Sequence, residues 1–513
     1  MCIRDRNKFI NTILTITLAV SGLTSCSDWL DVQPESQQRE KDMFKNYDGF
    51  KDALTGCYSS MASRSLYGER LTISDIEYLA CLWNEPTNNT TPRWKYLYQH
   101  NYKNQNAENA IRNIYGGLFN VIAQANKVIE HGQQADVIGD DQIRKVILGE
   151  AYALRAYCHF DVLRLFGQMP QNPTRQVMLP YALGTGIEYE APYLSFNEYV
   201  AQLEKDLNEA EKLLNGSDPI QTYNYDVLNN MIKEATVPED DFMQFRQFRL
   251  NYFAVRALKA RMYLYIGQLE KAYQEARYVI DAKVAGKPFM ELSGVEDIKK
   301  HYYSLPNECI FALSNNKIAD YLPEMMHGYN GQVTGDRNLV ITLDMLNKIL
   351  YDGANTTSDN RYLKVWNKAS SDVTGTKFPT LLKYSYNPGD YERSDQLSKL
   401  MTKLQFMPLI RMSEMYLIAM ESTKDLAEAN SLYKTYMASH NVNVTEGFKS
   451  LEDVKEEVMK DYHREFYAEG VMFYAYKRTG TKQLMFMRKA MSEDNYILPL
   501  PTSESNPNEK PTK

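Results

Sequence analysis

The segment 149–167, GEAYALRAYCHFDVLRLFG, leaves a chain like this few ways to fold. Ala151, Leu154, Cys158, Val162 and Leu165 recur at spacings of three and four, which is one helical stripe. Ala153, Ala156, Phe160 and Leu163 form a second stripe beside it. A helix apolar over so much of its circumference has to be covered on both sides. Its alanines let the covering helices come close. Arg155 and Arg164 interrupt the apolar surface, so each requires a carboxylate or carbonyl once buried. Gly167 is expected to end the helix in the left-handed conformation, and Pro170 prevents its resumption.

Other segments supply the covering helices. Phe50, Leu54, Cys57 and Met61 make one stripe, and Ile111, Ile114, Leu118, Ile122, Ala125 and Ile129 another, closed by His131-Gly132. Ser195 and Glu198 form a capping box ahead of Val200, Leu203, Leu207, Ala210 and Leu214. Residues 252–281 resemble a tetratricopeptide repeat, with Ala260 at the small position, Tyr263 at the aromatic one, Gly267 in the turn and Ala272 in the second helix. Lys259 stands where a leucine is expected. Residues 409–437 repeat the pattern through Leu417, Ala429 and Tyr433, with Lys424-Asp425 in place of the turn glycine. Such pairs bury one face only by stacking on neighbours. The expected fold is therefore mainly α. It is an α-superhelical scaffold of tetratricopeptide-like helix pairs carrying a loop-rich layer with a few short strands. The irregular insertion runs over about 285–405, where 308–313, ECIFAL, reads as a short buried strand. Residues 66–105 read as a long irregular stretch holding Trp83 and Trp94, too aromatic for disorder.

The N-terminus carries an address. Arg4, Arg6 and Lys8 precede the apolar run 9–23, too short for a comfortable membrane span, and Leu23-Thr24-Ser25-Cys26 resembles a bacterial lipobox. Cys26 is the expected lipidation site, and an anchor of several acyl chains holds where one would not. The organisation follows as a lipoprotein signal peptide at 1–25, a lipidated tether at 26–48, and a single domain at 49–513.

Several separated motifs, in order, resemble the RagB/SusD family of outer-membrane nutrient-binding lipoproteins of Bacteroidetes. Gly149, Glu150, Ala151, Leu154, Arg155, Ala156, Phe160, Asp161, Arg164, Leu165, Phe166 and Gly167 are similar to its GEA..LRA...FD..RLFG segment. Asn307 with 308–313, then Arg411, Glu414, Tyr416, Leu417 and Ala419, then Arg464-Glu465-Phe466 with Glu469-Gly470 and the closing YILPLP, resemble its further elements. Asp461-Tyr462 stands where the family often has an acid–arginine pair, and Met472 and Ala475 replace a usual Arg and Asp. These departures are expected to rewire a structural ion-pair network. The resemblance implies a cell-surface lipoprotein, anchored in outer-membrane lipid through its acylated Cys. It would capture an oligosaccharide or polysaccharide and deliver it to a SusC-like TonB-dependent transporter, using no cofactor.

The residues add little chemistry of their own. Neither C-x-x-C nor H-E-x-x-H occurs, nor G-x-S-x-G, a P-loop or an EF-hand loop. His159 and His463 read as hydrogen-bonded structural histidines, and no catalytic or metal-binding set emerges. A glycosidase dyad is not excluded by counting among 65 acidic residues. The net charge of −7 argues against a nucleic-acid partner. Cys57, Cys158 and Cys309 fall on apolar faces, and a Cys57–Cys81 disulfide is the weaker alternative to free thiols. For a glycan, the candidate stacking residues are Trp83, Trp94 and Tyr329, with Asn84, Arg93 and Asn330 as polar partners. The competing role of each loop tryptophan is to plug its loop onto the body. The competing functions are oligopeptide binding, glycoside hydrolysis and a purely structural adaptor.

Overall fold

The central helix forms as Asp141–Phe166 and is buried on nearly every side from Val146 onward. In chain order the elements used below are α1 (Tyr47–Met61), α2 (Asp75–Leu79), α3 (Pro92–Tyr98), α4 (Gln105–Gly132), α5 (Asp141–Phe166), α6 (Phe196–Leu214), α7 (Tyr252–Tyr265) and α8 (Leu269–Asp281). There follow β1 (Cys309–Ser314), α9 (Ile318–His327), β2 (Phe406–Arg411), α10 (Met412–Ser422), α11 (Leu426–Ala438), α12 (Leu451–Glu465) and α13 (Met472–Thr479). This computed structural model describes residues 40–502 and 504, apart from 88–90, 134–135, 187–188, 230–237, 316, 329–331, 335–336, 354, 386–405 and 488. The chain divides into a leading unit, Met1–Gly49, and a body, Phe50–Lys513. Cys26 and the whole lipoprotein leader lie outside the described residues.

The helix ends are set locally. Asp140 caps α5 by accepting from the Ile143 amide, and Asn104 caps α4 through Asn106. The Ser195–Glu198 box is present at the start of α6. Gly267 turns α7 into α8 with φ of +79°. Gly167, in contrast, is not left-handed, with φ −75° and ψ 168°. The expectation of a left-handed stop is therefore corrected. What forbids a side chain there is crowding, since a Cβ would lie 2.4 Å from the Leu163 carbonyl oxygen.

Helix α5 packs against α4 on one side and α6 on the other, and α7 packs on α8, which in turn contacts α10. Gly149 is a point of close approach, where an added Cβ would sit 2.7 Å from Leu214 Cγ of α6. The two arginines find the partners their burial requires. Arg155 donates bidentately to Asp206 at 2.7 Å on both nitrogens, and Arg164 pairs with Asp161. Lys259, out of place for a repeat leucine, joins Glu211 at 2.6 Å and Glu275 at 3.2 Å, tying α7 to α6 and α8. Asp425 takes over from the missing turn glycine by capping α11 through the amides of Ala427 and Glu428.

The predicted strand is β1, paired antiparallel with β2 in an interrupted register running from Cys309↔Arg411 to Ser314↔Phe406. Three separated motifs meet at one guanidinium beside it. Arg411 contacts Glu308 at 2.6 Å, Glu465 at 2.6 Å and Glu469 at 2.9 Å. Asp461 reaches Arg361 at 3.1 Å and Arg464 at 3.4 Å. An ion-pair network thus exists without charges at Met472 and Ala475, both buried. Cys57, Cys81, Cys158 and Cys309 are buried free thiols, so no Cys57–Cys81 bridge forms. No helix among the described residues is long and apolar enough to cross a membrane.

Candidate functional site

The stretch 66–105 is not one open loop. It folds over itself through α2 and α3, and most of its apolar residues are buried. Trp83 is fully buried, donating Nε1–H to the Ile73 carbonyl at 2.8 Å and meeting Tyr467 edge-on at 5.0 Å. Trp94 stacks on Tyr78 at 5.1 Å and donates to Asp75 at 3.2 Å. Neither indole has a face open to a ligand, which corrects the expectation that they stack a sugar. The reason is physical: each ring buries a large apolar area, and each N–H has found an acceptor inside. Trp366 and Tyr384 of the later irregular segment are likewise buried. Tyr329 and Asn330 lie outside the described residues.

Arg93 and Asn84 are placed differently. The Arg93 guanidinium, partly exposed, donates to Asp75 at 2.9 Å and Glu69 at 2.7 Å. Burial works against its charge, but Asp75 and Glu69 outweigh that and hold it above its ordinary value. Glu69 also takes Arg64 at 2.6 Å, and Arg64 lies over the Tyr321 ring at 4.3 Å and reaches Met325 Sδ at 3.7 Å. Asn84 donates its backbone N–H to the Val340 carbonyl at 2.9 Å. The 64–98 layer is thereby fastened to the segment that runs from α9 to Val340.

On that segment lies a depression of about 290 Å³ lined by Glu324, Met325, Gln332, Thr334, Arg337 and Val373, among others. Asn338 frames it from beneath, accepting from the Thr334 amide at 2.8 Å and donating to the Glu324 carbonyl at 2.8 Å. Gln332, Thr334 and Arg337 are exposed, and Val373 stands 77% exposed at the tip of a turn built on Asp372. The arrangement offers a cation, an amide, a hydroxyl and a carboxylate around an open apolar contact, suited to a hydroxyl-rich ligand. Sequence reasoning missed Gln332, Thr334 and Arg337. The available signal was the turn-forming run 335–338, GDRN, just beyond the glycine-rich turn at 327–331.

A second cavity of about 570 Å³ opens between α4, α5, α6 and residues 183–186. Its one arginine, Arg155, is already engaged by Asp206 and by Asn126 at 2.9 Å.

Chemistry beyond binding is sparse. His327 contacts Ser385 Oγ at 2.9 Å through Nε2, but its Nδ1 meets the Thr380 hydroxyl at 3.3 Å rather than a carboxylate. Burial pushes its imidazole down to about 4. His159 and His463 are structural, held to Tyr199 at 2.7 Å and the Met459 carbonyl at 2.8 Å. Among the described residues no group of three or more His, Cys, Asp or Glu is arranged to hold a metal.

Residues 28–236 match a SusD-like family described as starch-binding and associating with the outer membrane. A SusD-like protein P2 of Formosa agariphila is 23% identical over 270 residues, covering 52% of this chain and 46% of that protein. A second relative, SusD-like protein P38 of the same organism, is 25% identical over 40% of this chain and 38% of its own length. The fold is similar to a SusD superfamily protein from Bacteroides thetaiotaomicron, with a TM-score of 0.67 at 20% identity over 89% of this chain and 97% of that one. A SusD-like carbohydrate binding protein from Bacteroides vulgatus gives 0.61 at 17% identity over 85% and 83%.

Proposed function

Since this chain belongs to the SusD/RagB family, we propose that it is a carbohydrate-binding lipoprotein of the outer membrane. Held by lipid on Cys26 and facing the exterior, it captures a glycan and passes it to a SusC-like TonB-dependent transporter. It binds without turning its ligand over. The match of 28–236 to a family described as starch-binding is the observation that carries the ligand class.

The proposed contact surface is the depression of Gln332, Thr334, Arg337 and Val373, next to the Arg64–Glu69–Arg93 cluster. Amide, guanidinium and carboxylate groups at its rim would meet ring hydroxyls. Tyr329 and Asn330 stay candidates on sequence alone, since they closely precede Gln332, which lines that depression.

The test is calorimetric titration of protein beginning at Ser27 against a panel of glycans and oligopeptides, with product analysis on the same samples. Binding of one glycan without new products is expected. Binding of peptides alone, or release of shortened sugars, would overturn the reading.

A further inference from the structure

A small cavity lies where α5, α7, α10, α12 and α13 converge, with a volume of about 30 Å³. That is room for one or two water-sized occupants. We infer that it is a binding site for a small monovalent anion, chloride in ordinary media.

Three guanidiniums line the cavity, those of Arg164, Arg261 and Arg478, each at most 8% exposed. The carboxylate that also lines it, Glu414, is taken bidentately by Arg261 at 2.6 Å on both nitrogens. Arg164 and Arg478 are paired with Asp161 and Glu421. A guanidinium carries five N–H donors; Arg261 also donates to the Leu409 carbonyl at 2.6 Å and the Tyr157 hydroxyl at 3.5 Å, so the donors left over are those of Arg164 and Arg478.

Two further walls are phenols. Tyr265 and Tyr474 are 2% and 5% exposed, and neither hydroxyl has a hydrogen-bond partner among the described residues. The Arg164 guanidinium covers the Tyr474 ring at 3.7 Å. A buried hydroxyl left unpaired is costly, so an occupant that accepts from both is favoured.

The third contribution is a helix terminus. Helix α13 starts at Met472 with no side-chain cap and no acidic residue in its first turn, and Val471 and Tyr474 of that end line the cavity. Backbone N–H groups at such an end favour negative charge. Ala475 adds only a methyl group. The walls are thus rich in donors, and their one carboxylate is already used. A phenol oxygen also accepts, so a water would satisfy the two hydroxyls as well; the guanidinium donors and the helix terminus are what favour the anion over it.

The experiment uses bromide as the probe. Crystals of the purified full chain are soaked in bromide and measured for anomalous scattering. Melting is followed in chloride against gluconate at equal ionic strength. The expected result is a bromide peak among Arg164, Tyr474 and Arg478, with a melting temperature raised by chloride. Ala475→Asp places a tethered carboxylate in the same space and is expected to remove both the peak and the chloride response. Tyr474→Phe keeps the ring on Arg164 but removes one donor, and is expected to weaken the chloride response several-fold. No bromide peak in the wild type, or no chloride response, overturns the proposal. A peak that survives Ala475→Asp overturns the assignment to these walls.

Discussion

Replacing Arg246 with methionine is expected to be among the most damaging single changes in the body. Arg246 is fully buried, and it joins Glu150 of α5 to Asp218, which it holds at 2.8 Å on both nitrogens. Burial works against its charge, yet Asp218 and Glu150 hold it above its ordinary value. Removing the guanidinium leaves Glu150 and Asp218 both fully buried, with Asp218 reduced to backbone donors and Glu150 to Arg249 at 2.8 Å and the Tyr58 hydroxyl at 2.6 Å. Breaking a buried pair costs about 3–5 kcal/mol, and two stranded carboxylates put Arg246→Met at about the upper figure. Glu150→Gln is milder, about 3 kcal/mol, because Arg246 keeps its bidentate Asp218 and Arg249 has some access to water. The double variant is expected to cost less than the sum of the two, with coupling of about 0.5–3 kcal/mol. Urea unfolding followed by helical circular dichroism measures all three. Additivity, or a loss below about 1 kcal/mol for Arg246→Met, would refute the reasoning.

Stability should peak near pH ~6.5. Burial pushes His100, His159 and His463 down to about 4, 3 and 4, so the stability they hold above their unfolded value is lost as pH falls from ~6.5 towards 4, each by about 1.4 kcal/mol per unit. Glu77 runs the other way, pushed by burial up to about 8, so its contribution is full below its unfolded value and is lost as pH rises through 8. Glu77→Gln should flatten the alkaline decline in a pH series of unfolding midpoints; an unchanged decline would count against it. Gly149→Ala gains about 1 kcal/mol of helix propensity but drives a Cβ to 2.7 Å from Leu214 Cγ, for a net loss of about 1 kcal/mol that Leu214→Ala should partly relieve in a double-mutant cycle. Arg337→Ala should weaken glycan binding about tenfold with no change in melting temperature, since Arg337 is exposed; unchanged affinity in calorimetry would remove it from the site.

The helices were legible because their information is local. The stripe of α5, the Ser195–Glu198 box and the Gly267 turn each depend on residues within a few positions of one another, and all are present. The need of Arg155 and Arg164 for carboxylates was also readable, because burial of a charge demands one whatever the partner's position. The aromatic layer was not. Trp83 and Trp94 have the composition of a ligand platform, but their side chains could be assigned to surface or core only once Ile73, Asp75, Tyr78 and Tyr467 were placed around them.

By itself, the sequence determined a helical scaffold of repeat-like pairs, where its helices start, and which buried charges must be paired. Only the tertiary structure decided who the partners are. Arg411 gathers Glu308, Glu465 and Glu469 from segments up to 103 residues away, and Asn84 pins its layer to Val340. Periodicity along a chain reports which face of an element is buried. It carries no record of which distant element buries it, and a site assembled from side chains on several elements exists only at that second level.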